Sequence, residues 1–249
     1  AAGLHYRYVN CEVEPEFLGD AVKGARAMNW KGFHCSIPHK TEVIKHLDEL
    51  GESASVIGAV NCVVNRDGKL VGENTDGKGF VKAFQEVRSA AGQVVVLLGA
   101  GGAARAIAVE LALAGATKIY IVNRSVERGQ VLTNLINKKT KATAEFVEWN
   151  KTYVIPSDAT AVVNSTSIGM AGIGALQNID YDSINESMLV ADVIINPPST
   201  PFLEEAAKRG AKTLNGHGMV VYQAVVGIKY WTGADVDPEI LRAQLVAVL

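Results

Sequence analysis

Two short segments bring together side chains suited to moving a proton. Gly32-Phe33-His34-Cys35-Ser36-Ile37-Pro38-His39-Lys40 sets a hydroxyl and an amine four residues apart, where an apolar run gives way to a helix start. Gly72-Glu73-Asn74-Thr75-Asp76-Gly77 sets a carboxyl beside permissive glycines at the end of a second run. Ligands gather at such strand ends in α/β folds, and an ammonium with a carboxylate is a candidate proton-handling pair. The first turn of a helix is a poor place for a cation, so Lys40 is badly explained as a surface residue. Asp76 also suits the cap of the helix that follows, and capping is compatible with catalysis.

A third segment is built for phosphate. Gly99-Ala100-Gly101-Gly102-Ala103-Ala104 follows the apolar run Val94 to Leu98 and precedes a stretch rich in Ala, Ile, Val and Leu. It fits the dinucleotide pattern G-x-G-x-x-A: Gly99 allows the tight turn, Gly101 lets a pyrophosphate approach the backbone, and Ala104 lets helix and strand pack closely. The helix N-terminus then faces the phosphates. The next apolar run ends at Val122 and enters Asn123-Arg124-Ser125, where an NAD enzyme places an acid for the ribose hydroxyls. Arg124 stands there instead, with Arg128 one helical turn on, and guanidinium forks suit the 2′-phosphate of NADP. Taken alone, Arg124 also reads as a solvated loop cation; the pair at spacing four favours NADP.

The elements that must position these residues follow from the hydrophobic pattern. Apolar runs alternate with amphipathic stretches throughout the 249 residues, which predicts an α/β protein. Strands are expected at Tyr6 to Val13 and Gly32 to Ile37 with a helix from Pro15 to Met28 between them, one βαβ unit. A helix over Pro38 to Leu47 and a hairpin around Asn65-Arg66-Asp67-Gly68 come next. From Val94 onward, strands at 94–98, 119–122, 145–149, 161–164 and 189–195 alternate with helices after Gly102, Val126 and Thr200, a doubly wound Rossmann-type arrangement. Two domains are expected: a smaller α/β substrate domain at 1–78, to which the helical segment 218–249 returns, and a dinucleotide-binding domain at 79–217.

Composition narrows the class. Hydrophobic residues make up 48% and charged residues 20%, the balance of a chain that buries a sizeable core. Twenty-four Lys and Arg against 26 Asp and Glu leave no field for nucleic acid or an anionic membrane. Cys11, Cys35 and Cys62 are odd in number, and His34, His39, His46 and His217 show no metal-ligand spacing. No apolar run approaches the roughly 20 residues that span a bilayer, and the start lacks a signal-peptide pattern. A cytoplasmic protein with no metal is expected.

On these and further motifs the sequence resembles the shikimate dehydrogenase family. Ser36-Ile37-Pro38-His39-Lys40 is similar to its T-x-P-x-K element, Gly58-Ala59-Val60-Asn61 to G-A-x-N, and Gly72 to Asp76 to G-x-N-T-D. Gly99 to Ala104 matches its glycine loop, Asn123-Arg124-Ser125 its N-R-T clamp, and Asn164-Ser165-Thr166-Ser167-Ile168-Gly169-Met170 its N-A-T-x-x-G-M segment. Asn215-Gly216-His217-Gly218-Met219 with Gln223 resembles N-G-x-G-M-x-x-x-Q. The resemblance covers nearly the whole chain. It implies Lys40 and Asp76 as the catalytic pair, and Ser36, Asn61 and Gln223 as ligands to substrate hydroxyls. It implies Gly99, Ala100, Gly101, Gly102, Ala103, Asn123, Arg124, Ser125, Arg128, Thr166, Ser167, Gly216 and Met219 as contacts to NADP, with Met219 beside the nicotinamide. The implied reaction is the reversible reduction of 3-dehydroshikimate to shikimate, a step of aromatic amino acid and chorismate biosynthesis, by a monomer or homodimer.

The sequence departs from the family in three places. The family's opening strand and S-x-S loop, which holds the substrate carboxylate, has no counterpart here, and Ala1-Ala2-Gly3-Leu4 looks like the end of the helix that follows that loop. Ser36 replaces Thr, and Ile195 stands before Asn196-Pro197 where family members often carry Tyr. Alternatives therefore stay open: a quinate or shikimate dehydrogenase of broader substrate use, another reductase of the same build, or a non-catalytic ligand-binding relative.

Overall fold

Residues 3, 5–171, 173 and 176–248 are described in the computed structural model, and the chain divides into two units: Ala1–Thr75 with Ala224–Pro238, and Asp76–Gln223 with Glu239–Leu249. In the first unit a 3-10 turn at Pro15–Phe17 leads into helix α1 (Leu18–Ala27). Strand β1 (Gly32–His34), helix α2 (His39–Glu42), strand β2 (Glu49–Leu50), helix α3 (Glu52–Ile57), and strands β3 (Cys62–Arg66) and β4 (Lys69–Glu73) follow. The sheet runs in the order β1-β3-β4-β2, with β3 antiparallel to both neighbours and β2 parallel to β4. Asp67 and Gly68 make the β3–β4 turn with φ of 52° and 91°, the left-handed pair that matches strand twist in a two-residue hairpin. The Gly68 N–H donates to Asn65 Oδ1 at 2.7 Å and closes it. Leu18, Val22, Val43, Ala54, Val60, Val63 and Leu70 pack as the core beneath this sheet.

The expected strand at Tyr6 to Val13 is absent, and with it the expected βαβ unit. An alternating stretch becomes a strand only where a ladder is offered to its backbone, and no described residue pairs with this one. Side chains anchor it instead: His39 Nε2 donates to the Val13 carbonyl at 2.8 Å, and the Tyr8 hydroxyl bonds His34 Nδ1 at 3.1 Å. Ala1, Ala2 and Leu4 lie outside the described residues, and so does the reading of that end as a helix terminus. Strand β2 and helix α3 were not expected, because two and six residues carry too little periodicity to register.

The second unit begins within helix α4 (Thr75–Val87), then continues β5 (Val94–Leu98), α5 (Gly102–Leu113), β6 (Lys118–Asn123), α6 (Val126–Lys139), β7 (Thr143–Glu148), β8 (Tyr153–Val154) and β9 (Ala161–Asn164). After β10 (Ile179–Asp180) and β11 (Leu189–Asp192) come α7 (Pro201–Lys208), β12 (Lys212–Leu214), α8 (His217–Thr232) and α9 (Pro238–Val248). Six strands form a parallel sheet in the order β12-β11-β9-β5-β6-β7. Val95, Val96, Leu97 and Leu98 have no exposure, as a central strand covered on both faces requires. Strand order reverses between β5 and β9, which makes the carboxyl ends of those strands the switch point where ligands bind. The doubly wound half is thus as expected.

The unit boundaries differ from the expected ones. The division falls at Thr75/Asp76, and again inside α8. Helix α4 sits on second-unit neighbours: a Cβ on Gly77 would strike the Ala106 carbonyl, and one on Gly79 would lie 2.5 Å from the Met219 carbonyl. Helix α9, expected to return to the substrate domain, groups from Glu239 onward with the second unit, where Arg242 pairs with Glu86 of α4 at 3.3 Å.

Candidate functional site

In the first unit, backbone hydrogen bonds draw three sequence-distant segments together. The Val60 N–H donates to the Lys40 carbonyl at 2.7 Å, and the Cys35 N–H to the Asn61 carbonyl at 2.8 Å. Asn61 is 3% exposed and Thr75 fully buried; Asn61 Oδ1 accepts the Thr75 N–H at 2.7 Å, and its Nδ2 donates to Thr75 Oγ1 at 3.0 Å. Asn61, expected to bind substrate, therefore also holds the start of α4, one residue before Asp76. Asn74 Nδ2 donates to the Ala59 carbonyl at 3.1 Å and braces the same junction. Lys40 occupies the first turn of α2 and is half-buried. Ser36 is exposed between β1 and α2, its hydroxyl making one marginal bond to the Ile37 carbonyl at 3.5 Å.

Lys40 leaves an electrostatic trace on its neighbour. Burial pushes the Cys35 thiol up to about 11, and the Lys40 ammonium pulls against that rise. A thiol so protonated is a poor nucleophile. Iodoacetamide at pH 8 is expected to alkylate exposed Cys11 roughly 100-fold faster than Cys35, read by peptide mass spectrometry. Equal rates at the two positions would contradict this placement of Cys35.

In the second unit the phosphate loop has the expected form. Gly99 has φ of +109°, and a Cβ there would meet Ser165 Oγ at 2.8 Å, so both conformation and contact demand glycine. Gly101 caps α5 without any side-chain bond, and a Cβ on Gly101 or Gly102 would meet no protein atom within 4 Å. Nothing in the protein requires glycine at these two places. A cradle left open where backbone N–H groups start a helix fits a pyrophosphate. Ala100 and Ala103 are half-buried in the loop and first turn, and Ala104 is fully buried against the sheet.

The residues expected to meet the 2′-phosphate lie at the close of β6. Asn123 Nδ2 donates to the Ser125 carbonyl at 2.8 Å, and Ser125 Oγ caps α6 by accepting the Arg128 N–H at 3.4 Å. Arg124 and Arg128 are both exposed, and among the described residues neither guanidinium has an acidic partner. Asn123 and Ser125 thus shape the turn that presents two unneutralised cations.

Of the remaining cofactor candidates, Thr166 belongs to an interlocked polar network that sequence reading did not identify. Asp192, 1% exposed at the end of β11, accepts from Asn164 Nδ2 at 3.0 Å, the Ile194 N–H at 3.1 Å and Thr200 Oγ1 at 2.7 Å. Burial holds its carboxyl above the usual range, opposed by these bonds. Asn164 Oδ1 in turn accepts from the Thr166 N–H at 3.1 Å and hydroxyl at 2.7 Å. Thr166 is therefore an internal brace, while Ser167 stands exposed beside it. A Cβ on Gly216 would lie 2.5 Å from the Val193 and Ile194 carbonyls, and His217 Nε2 donates to the Ile195 carbonyl at 3.0 Å. The loops after β5, β9, β11 and β12 are locked to one another in this way. Met219 and Gln223 follow on α8, both half-buried, with their backbones against Gly79 of α4.

Replacing Asp192 by alanine leaves the Asn164 amide and the Thr200 hydroxyl buried without that acceptor, at a cost of about 3 kcal/mol. The melting temperature is expected to fall roughly 6–12 °C for a protein of this size. An unchanged melting curve would show that the network is dispensable. Its members lie 28 and 8 residues apart, and only the Asn164 end falls in a recognisable motif. Among the described residues, no three His, Cys, Asp or Glu side chains form a metal-binding group, and no helix is long and apolar enough to cross a membrane.

Known proteins place this geometry in context. The shikimate dehydrogenase substrate binding domain matches residues 1–63, and the shikimate / quinate 5-dehydrogenase domain matches residues 82–194. A Desulforamulus reducens protein named shikimate dehydrogenase (NADP(+)) is 41% identical over 244 residues, spanning 96% of this chain and 84% of that protein. A crystal structure of ligand-free 5-ketofructose reductase from Gluconobacter sp. strain CHM43 is 50% identical with a TM-score of 0.97, covering 100% of this chain and 90% of that one. A crystal structure of a shikimate dehydrogenase in complex with NADP+ is 38% identical with a TM-score of 0.86, covering 99% and 86%.

Proposed function

The chain belongs to the shikimate dehydrogenase family, and on that premise we propose that it is an NADP-dependent dehydrogenase interconverting 3-dehydroshikimate and shikimate. The observation that carries the cofactor reading is the open cradle at Gly101 and Gly102 together with unpaired Arg124 and Arg128 at the next strand end. NADPH, when bound, supplies the hydride for the ketone carbon. The Lys40 ammonium donates to the carbonyl oxygen as negative charge builds there, and that oxygen ends protonated as the new hydroxyl. Asp76 orients the ammonium and a neighbouring substrate hydroxyl. Ser36, Asn61 and Gln223 bind the other hydroxyls, Asn61 with whatever capacity its bonds to Thr75 leave. Gly99 to Ala103 receive the pyrophosphate, Asn123 to Arg128 the adenosine phosphate, and Thr166, Ser167, Gly216 and Met219 line the nicotinamide end.

A second reading has a specific observation in its favour. Identity to the 5-ketofructose reductase is 50% over the whole chain, above the 41% to the Desulforamulus shikimate dehydrogenase, and Ile195 stands where that family often has Tyr. A keto-sugar such as 5-ketofructose shares with 3-dehydroshikimate a ketone flanked by a hydroxyl-bearing carbon, which the same Lys and Asp chemistry serves. It lacks the carboxylate. One panel separates the readings: NADPH consumption with 3-dehydroshikimate and with 5-ketofructose, and NADP+ reduction with shikimate and with quinate. A kcat/KM for 3-dehydroshikimate above the others supports the first reading, a lead for 5-ketofructose replaces it, and turnover of none removes the enzyme assignment.

A further inference from the structure

Arg105 lies in α5, four residues after Gly101 and three after Gly102, and its backbone N–H donates to the Gly101 carbonyl at 2.9 Å. Side chains on a helix lean towards its N-terminus and cover the preceding turn. That places position 105 one turn after the open space at Gly101 and Gly102. Its Nε atom is buried and has no hydrogen-bond partner. Burial holds the guanidinium below its ordinary range, and among the described residues no carboxylate pairs with it. The acid on its own helix, Glu110, pairs with Lys78 at 3.1 Å. Its helix neighbours Ala104, Ala106 and Ile107 are at most 2% exposed, and Arg105 itself is half-buried.

A partly desolvated cation with neither counter-charge nor acceptor is costly to keep. The cost is explained if an anion arrives with the ligand. We propose that Arg105 is a binding residue for the diphosphate of the dinucleotide, its guanidinium supplying the charge that the uncapped α5 N-terminus and the glycine cradle lack. The proposal rests on the NADP reading above and adds a division of labour to it. Arg124 and Arg128 read the 2′-phosphate and so choose NADP over NAD; Arg105 reads the diphosphate that both cofactors share, and so sets affinity without setting preference. A guanidinium fork bonds two phosphate oxygens at once, which an ammonium cannot reproduce.

Arg105→Met keeps the apolar stem and removes the charge. Titration of the unreacted protein with NADP+ is expected to show a Kd about 30-fold weaker than wild type, with NAD+ weakened by a similar factor. Adenosine 2′-monophosphate, which has no diphosphate, is expected to bind within about twofold of wild type, and the melting temperature without ligand to move little. Arg105→Lys should fall between wild type and Arg105→Met. Unchanged NADP+ affinity in Arg105→Met overturns the assignment, and so does an equal loss for NADP+ and adenosine 2′-monophosphate, which marks a general disturbance of the loop. A wild-type protein that binds neither ligand overturns the cofactor reading itself and this residue's role with it.

Discussion

Lys40→Met is expected to lower kcat about 1,000-fold with the best substrate of the panel, while substrate and NADP+ affinities change only a few-fold. Donation to a carbonyl oxygen that gains charge in the transition state is worth roughly 100- to 10,000-fold, and it acts on kcat because the ground-state ketone carries little of that charge. The structure supplies the constraints that make the expectation specific. Lys40 lies in the first turn of α2, and its own carbonyl accepts the Val60 N–H at 2.7 Å. Its ammonium pulls against the burial-driven rise of the Cys35 thiol. The methionine keeps the aliphatic stem, so a folding defect is not built into the variant. Lys40→Arg retains the cation but moves its donors and is expected to recover only part of the rate. A Lys40→Met enzyme with wild-type kcat and a raised KM would make Lys40 a binding residue and remove it from the chemistry.

Arg124→Asp is expected to weaken NADP+ at least 100-fold and to leave NAD+ within about threefold. Loss of charge-assisted hydrogen bonds to a phosphate accounts for roughly 10- to 100-fold, and an acid placed against the 2′-phosphate adds repulsion. The acid suits the paired ribose hydroxyls of NAD instead. The effect is large because Arg124 and Arg128 are exposed, and neither has an acidic partner among the described residues. Arg124 also sits in a turn tied by Asn123 Nδ2 to the Ser125 carbonyl and by Ser125 to the α6 N-terminus. Its replacement changes the charge presented and leaves the turn intact. Fluorescence titration with both cofactors reads the result, and equal NADP+ affinity in variant and wild type would return Arg124 to the class of solvated surface cations.

The two halves of the chain were legible to different degrees. The doubly wound half was written in contiguous signals: an apolar strand at 94–98, the glycine loop, a helix, a second strand and an arginine at its end all occur within about 30 residues. Such a βαβ unit is coded locally, so its residues can be read in register without knowing the rest. In the first half the same reasoning over-read Tyr6 to Val13. Alternation there is real, but a strand is a property of two backbones, and no described segment pairs with it. The glycine at 99 could be assigned to a turn from spacing; that a Cβ there would also meet Ser165 required the β9 loop to be in place.

The sequence by itself supplied the expectation of a dinucleotide loop, of a 2′-phosphate preference and of a Lys40 and Asp76 pair, and the resemblance to the family. The glycine loop and the arginine after it rest on neighbours along the chain, whose relative placement the helix and strand periods already specify. Only the tertiary structure decided what the remaining polar groups do. Asn61 holds Thr75 from 14 residues away, Asp192 gathers Asn164 and Thr200, and Arg105 Nε is buried without a hydrogen-bond partner among the described residues. Whether a polar side chain is satisfied depends on atoms brought near it by distant parts of the chain. That balance of burial and partners has no counterpart in local order, and it separates the residues that brace the site from those that meet its ligands.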